Sequence, residues 1–178
     1  MSQTAIPPGI DNPDVAYQVS AVKDGKVLLG YKKRGFGVGR YNGFGGKVDP
    51  GETSLEAAAR ELEEEAGITA ALTHAGSLFF MTEGAKWAFQ IEIYRADDYK
   101  GTITETDEMR PEWFKLPGDS QKQNNDLPSI PFDKMWDTDH VWLPWLFQKQ
   151  KFAGRADFKT TDKDGEFVEW KWWYGTYM

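Results

Sequence analysis

No cysteine occurs among the 178 residues. Disulfides, thiolate-zinc sites, thiol nucleophiles and iron–sulfur clusters are thereby excluded, and a reducing compartment suits the chain. Histidine is nearly as scarce, with only His74 and His140. A three-histidine metal site cannot be built, and Ser-His-acid chemistry has little to draw on. Both histidines are expected to be surface or packing residues. Positive charge is in deficit: 21 Lys and Arg stand against 28 Asp and Glu, for a formal net charge of −7. Stable binding of duplex nucleic acid needs the opposite balance and is not expected, whereas a nucleotide on a local basic patch is compatible with it. No stretch reaches the roughly 18 consecutive apolar residues of a membrane span, so no membrane partner is expected. No repeat of 20–50 residues is visible either.

Aromatic residues, by contrast, are plentiful: 8 Trp, 7 Tyr and 11 Phe. That ring surface exceeds the obvious needs of a core this size and suits a pocket for a flat ligand. The length fits a single domain. Residues 1–15 mix Pro, Gly and Asp and are expected to form a loose N-terminal arm. They have neither the charged start and apolar run of a signal peptide nor the Arg of a transit peptide. Residues 16–178 are expected to form one domain, with a surface-loop insertion at about 117–129, where the chain reads PGDSQKQNNDLPS.

Strands are predicted at Tyr17–Val22, Lys26–Lys32, Gly76–Met81, Trp87–Tyr94, Pro111–Leu116, Ala156–Thr161 and Glu166–Tyr174. Asp24-Gly25 and Asp164-Gly165 are hairpin signals. Helices are predicted at Ser54–Ala66 and at about Asp139–Lys151, with Pro144 near the first turn of the second. Strands, helix, strands, helix is an α+β pattern: a mixed β-sheet between α-helices.

The first helix has the clearest signals. Thr53 and Glu56 fit a capping box, and Gly67 fits the left-handed residue that ends a helix. Leu55, Ala58, Ala59, Leu62 and Ala66 recur at helical spacing as an apolar face. Glu61, Glu64 and Glu65 follow the i, i+3, i+4 rule on the other side. A generic Glu-rich helix is usually just a solvated face. Here Glu52 precedes the helix, Arg60 lies within the cluster to pair with Glu56 or orient a neighbouring Glu, and Gly45-Gly46 permits close backbone approach upstream. Carboxylates with a free carbonyl are the oxygen set that Mg²⁺ prefers, and a divalent ion would offset the repulsion among them.

From Gly46 the chain reads GKVDPGETSLEAAARELEEEAGI. This resembles the Nudix box at every fixed position: Gly46, Glu52, Arg60, Glu61, Glu64, Glu65, Gly67 and Ile68. The resemblance implies the Nudix fold and Mg²⁺-dependent hydrolysis, with Mn²⁺ as a substitute ion, of a nucleoside diphosphate linked to another group. It extends beyond the box. Leu28–Val48, Asp107–Phe114, Ile130–Trp136 and Trp142–Gly154 look like the oxidised purine nucleoside triphosphatases, the MutT-homologue group that hydrolyses 8-oxo-dGTP. The two ends of the chain have no such match.

Carried over residue by residue, the resemblance implies that Glu61, Glu64 and Glu65 bind metal together with the Gly45 carbonyl and Glu108. Glu65 and Glu108 are both candidates for the general base. Asn42 is implied to read the purine edge, Trp136 to stack on the base, Phe36 and Phe80 to line the pocket, and Lys32 to lie near sugar and phosphates. The residues agree independently: an Asn amide offers one donor and one acceptor, and an indole gains about 1–3 kcal/mol by stacking on a base. Lys32, Lys33, Arg34, Arg40 and Lys47 form an acid-free cationic stretch beside the acidic helix, and the glycines 35, 37, 39, 43, 45 and 46 suit a loop folded closely round a ligand.

One departure stands out. The family has two adjacent aspartates just after the stacking Trp. Here the run is Trp136-Asp137-Thr138-Asp139, so Asp139 keeps the second acid and Thr138 replaces the first. Asp137 could swing in to restore the pair. The expected function is hydrolysis of oxidised purine nucleoside triphosphates (8-oxo-dGTP and 2-oxo-dATP type) to monophosphate and pyrophosphate, sanitising the nucleotide pool. The alternatives are another modified purine triphosphate, a dinucleoside polyphosphate, or a silent Nudix binding module. A cytoplasmic monomer is expected, with nucleus and mitochondrion as further compartments.

Overall fold

A computed structural model describes residues 14–86, 88–120, 126–160 and 167–178. The residues of the expected arm up to 13, residues 121–125 of the expected loop, and the Asp164-Gly165 turn lie outside the described residues. The strands are β1 (Asp14–Lys23), β2 (Lys26–Lys32), β3 (Tyr41–Asn42), β4 (Ile68–Thr69), β5 (Leu72–Thr82), β6 (Ala88–Ala96), β7 (Lys100–Gly101), β8 (Met109–Lys115), β9 (Lys151–Thr160) and β10 (Phe167–Tyr177). The helices are α1 (Ser54–Ala66) and α2 (Asp139–Phe147).

Eight strands form one sheet in the order β10-β9-β5-β6-β1-β2-β3, with β8 also paired to β2. The sheet is mixed: β1 runs parallel to β6 and β5 parallel to β9, while the other pairs are antiparallel. Strand alternation divides the apolar residues between its two faces. Along β2, Val27 and Leu29 join Trp142, Leu143 and Leu146 of α2 in one core. Leu28 faces the other way and joins Ala57, Ala58 and Leu62 of α1. The sheet is thus sandwiched between two helices, as the α+β pattern predicts.

Helix α1 has its predicted bounds, because both ends are fixed by local chemistry. The Thr53–Glu56 capping box is complete, and Gly67 closes the helix at φ 71°. A Cβ at Gly67 would meet the Thr102 carbonyl oxygen at 2.8 Å, so glycine is required twice over. The buried face is rotated from the predicted one. Ala57, Ala58, Leu62, Glu65 and Ala66 are buried, while Leu55 is exposed and so is Ala59. The sheet therefore meets the helix on the side that carries Glu65.

Helix α2 is shorter than predicted and ends at Phe147, because β9 begins at Lys151. Pro144 lies inside this helix rather than in its first turn. Two strand pairings carry register shifts, one between His74 and Gly76 in β5 and one between Glu169 and Lys171 in β10.

Candidate active site

Three features bring the predicted residues together. The first is the buried side of α1. The Glu65 side chain is only 5% exposed, whereas those of Glu61 and Glu64 are 20% and 60% exposed. Glu65 Oε2 accepts the Gly45 N–H at 2.9 Å. Gly45 thus presents its amide to Glu65, alongside the carbonyl role implied by resemblance. Burial raises the Glu65 pKa, opposed by Lys32 and the Gly45 amide.

The second feature is the open end of β2. Lys32 Nζ lies 3.1 Å from Glu65 Oε1 and 2.5 Å from Glu108 Oε1. Burial works against the ammonium charge, but the two carboxylates outweigh it and the Lys32 pKa is raised. Glu108 is brought in by the Lys33 N–H, which donates to its backbone carbonyl at 2.8 Å. Arg34 reaches its other carboxylate oxygen at 3.3 Å. The Lys32 and Arg34 contacts, set against modest burial, hold the Glu108 carboxyl below its usual pKa.

Arg60 takes the orienting role. It donates to both oxygens of Glu52 at 2.8 and 3.0 Å, to Glu61 at 3.0 Å and to Glu64 at 3.4 Å. Glu56 is used by the cap. Gly46 lies close under Glu61: a Cβ there would stand 3.0 Å from Glu61 Oε1 and would push that carboxylate aside. Among the described residues no three carboxylates stand close enough to cage an ion as they are. Cations are interleaved with them: Lys32 between Glu65 and Glu108, and Arg60 among the others. The donor set of hard carboxylate oxygens beside a glycine backbone fits a divalent cation of the Mg²⁺ type.

The third feature is an aromatic cluster packed against the Gly-rich loop. That loop turns through Gly35, Gly37 and Gly39, at φ 78°, 79° and 83°, a backbone that other residues rarely adopt. A Cβ at Gly37 would stand 3.3 Å from Trp136 Cζ2 and 3.5 Å from Asn42 Nδ2. Trp136 and Asn42 therefore flank the same glycine. Asn42 is buried, and its Oδ1 has no hydrogen-bond partner among the described residues. Phe36, 72% exposed, stacks on Trp136 with ring centroids 5.3 Å apart. Arg40 lies 4.5 Å from the centre of the same ring and donates to the Met135 carbonyl at 2.6 Å. Phe80 packs against the α2 core and edge-on to Phe158.

Asp139 is buried and held from both sides. Its Oδ2 accepts the Trp136 N–H at 3.1 Å and its Oδ1 the Trp142 indole N–H at 3.2 Å. Burial outweighs these donors and pushes its pKa up to about 7. Asp137 uses its backbone carbonyl to hold His140 Nδ1 at 2.7 Å. Thr138 is buried and makes no side-chain cap for α2. Its hydroxyl instead accepts that of Tyr174, 2.7 Å away on β10. The other histidine, His74, is bound to Glu92 on the sheet at 2.6 Å.

Nothing in the sequence alone points to Tyr174, Glu169 or Arg40 as neighbours of Trp136 and Thr138. Arg40 sits in the recognised cationic stretch. The two β10 residues lie in a tail whose sequence carries no motif.

A family model of the NUDIX domain matches residues 15–118. The chain is 46% identical over 145 residues to the oxidized purine nucleoside triphosphate hydrolase of Danio rerio, covering 81% of this chain and 86% of that protein. It is 45% identical over 138 residues to the Mus musculus protein of the same name, covering 77% and 81%. Among solved structures, a MutT protein from Bacillus halodurans superposes with a TM-score of 0.62 at 26% identity, over 90% of this chain and 97% of that one.

Proposed function

The chain belongs to the Nudix family, and on that footing we propose that it hydrolyses oxidised purine nucleoside triphosphates to monophosphate and pyrophosphate. One observation carries this most directly. The buried, unpartnered Asn42 Oδ1 lies beside Trp136, on a strand paired to β2, and β2 ends at the Lys32–Glu65–Glu108 junction. Asn42 pairs with Gly30, two residues from Lys32, so a base held there would lay its phosphates directly toward the acidic helix.

Nudix hydrolases generally use divalent metal ions. Here Glu61, Glu64, Glu65, Glu108 and the Gly45 carbonyl would hold Mg²⁺, or Mn²⁺ in its place. Such an ion, when bound, screens the phosphate chain and lowers the pKa of a bound water. Arg60 keeps three neighbouring carboxylates oriented meanwhile. Lys32, released from Glu65, turns its ammonium to the phosphates. Glu65 or Glu108 takes the proton from the attacking water. Asn42 and Asp139 read the purine edge, Trp136 stacks on its face, and Phe36 and Phe80 exclude water from it. Phe36 is mostly exposed and gives way at little cost when the base enters.

The relatives' names support the oxidised purine, and nucleotide-pool sanitation follows from that chemistry. Thr138 favours a second substrate class, another modified purine triphosphate or a dinucleoside polyphosphate, because a hydroxyl cannot ionise as the family's aspartate does. No helix among the described residues is long and apolar enough to cross a membrane. A cytoplasmic monomer, with nucleus and mitochondrion as further compartments, fits a small nucleotide substrate.

The test is pyrophosphate release from 8-oxo-dGTP, 2-oxo-dATP, O6-methyl-dGTP, dGTP, ATP and a diadenosine polyphosphate, with and without Mg²⁺. Metal-dependent release with the highest kcat/KM on 8-oxo-dGTP or 2-oxo-dATP is expected. A preference for another purine would move the assignment to the second class. Release from none of them would make the chain a silent binding module.

A further inference from the structure

The aspartate that Thr138 replaces has a counterpart elsewhere in the fold. Glu169 lies on β10, some thirty positions further along the chain. Its carboxylate accepts the Thr138 hydroxyl, which itself accepts the hydroxyl of Tyr174. Thr138 is therefore committed on both sides: its one proton points to Glu169, and Tyr174 takes up its oxygen. The remaining Glu169 oxygen, Oε1, is buried without a hydrogen-bond partner among the described residues.

The strand irregularity explains how Glu169 gets there. Residues an odd number apart on a regular strand point to opposite faces, so 169 and 174 should diverge. Between Glu169 and Lys171 the register with β9 shifts by one, making Trp170 an extra residue. A bulge of this kind turns the following alternation over. Glu169 and Tyr174 consequently share a face, and both meet Thr138.

Two buried acceptors are thus orphaned, Asn42 Oδ1 and, next to Thr138, Glu169 Oε1. Leaving a buried acceptor unsatisfied is costly, by about 1–3 kcal/mol, so a ligand that donates N–H groups to both is favoured. Purines donate from exocyclic amines. An 8-oxopurine adds an N–H at position 7, where an ordinary purine has an acceptor. Asp139 feels the charge of Glu169, and Glu169 that of Asp137. Carboxyl groups gathered in this way hold a shared proton and present both a donor and an acceptor. Burial, helped by Asp137, raises the Glu169 pKa to about 7 despite the Thr138 hydroxyl.

We infer that Glu169 is a specificity-determining residue: with Asp139 it completes the acid pair that reads the base, Thr138 serving as the arm that holds it. The inference rests on the substrate class proposed above. Its test is the ratio of kcat/KM for 8-oxo-dGTP over dGTP in wild type, Glu169→Gln and the double variant Thr138→Asp/Glu169→Gln. The isosteric Gln should lower the ratio at least about fivefold, the lower end of what one base-edge contact contributes to discrimination. The double variant should bring it back to within about threefold of wild type, as expected if one acid substitutes for another. An unchanged ratio in Glu169→Gln overturns the inference. So does a fall that Thr138→Asp fails to recover, which would make Glu169 a mere support for Thr138. In the unaltered protein, the ¹³C carboxyl resonance of Glu169 should move when 8-oxo-dGMP is added, and a stationary resonance overturns the inference without any variant. Wild type with no preference for 8-oxo-dGTP would instead sink the proposed substrate class.

Discussion

The ammonium of Lys32 stands 3.1 Å from Oε1 of Glu65, the most deeply buried carboxylate of α1. This pair joins the strand that leads to the aromatic pocket with the helix that carries the acids. It neutralises a carboxylate that burial would otherwise disfavour, and it makes Glu65 available to a stronger cation by simple exchange.

Glu65→Gln should abolish most turnover, by roughly 10²–10⁴-fold, the range expected for a lost general base. Lys32 keeps its bond to Glu108 and the Gly45 N–H still meets a carbonyl oxygen, so the fold should survive. Pyrophosphate release and a thermal melt on the same sample check this. Near-wild-type turnover would remove Glu65 from the mechanism.

Mg²⁺ should raise the wild-type Tm, because an ion bound only by the native state stabilises it by about 2.7 kcal/mol at a hundredfold excess over Kd. For a chain of this size that is on the order of 5–10 °C. The shift should shrink sharply in Glu65→Gln. Equal shifts in both proteins would show that the ion binds elsewhere.

Trp136→Ala should raise KM by about 5- to 150-fold, the equivalent of 1–3 kcal/mol of stacking, with a smaller effect on kcat. Steady-state kinetics on the preferred substrate separate the two constants. An unchanged KM would make the ring a structural partner of Phe36 and Arg40 only.

Stability should fall as pH rises from about 5 to 8 in metal-free protein. Asp139 and Glu169 both have native pKa values near 7, raised chiefly by burial. An acid whose pKa is raised on folding stabilises fully below its unfolded value, and that stability drains away as pH climbs through the folded one. Asp139 alone should cost a few kcal/mol over this window, at about 1.4 kcal/mol per pKa unit. Carboxylates with lowered pKa, such as Glu92 at about 2, act only in stronger acid. Melts at pH 5, 6, 7 and 8 measure the slope, and Glu169→Gln should flatten it. A Tm that holds steady or rises across this range would contradict the burial of these acids.

The acidic helix of the candidate site was legible in the sequence because its signals are local. A capping box, a terminal glycine and the glutamate spacing lie within 16 residues, and helix α1 has its predicted bounds. What failed there was the side of the helix that the sheet selects. Leu55 lost to Ala57 because small residues let helix and sheet approach, and the same rotation buried Glu65. The end of α2 differs because pairing with β10 from Lys151 and with β5 from Phe152 claims these residues for β9. Strand β3 is two residues long and has no periodicity to detect. Glu169 was illegible for a sharper reason: an even-odd count along β10 puts it on the wrong face, and only the bulge corrects the count.

Strand β9 lies beside β5 through pairs such as Gly76 with Phe152, and β10 joins the sheet through β9. The Lys32–Glu65–Glu108 junction is spanned by residues 32–108, and the Thr138–Tyr174–Glu169 contact waits for the last strand. Pairings between residues so far apart in the chain are slow to form. On a ribosome the segment proposed to handle phosphate emerges well before the one proposed to judge the base. Loss of β10 would remove Glu169 and Tyr174 while leaving Lys32, Glu65 and Glu108 in the chain.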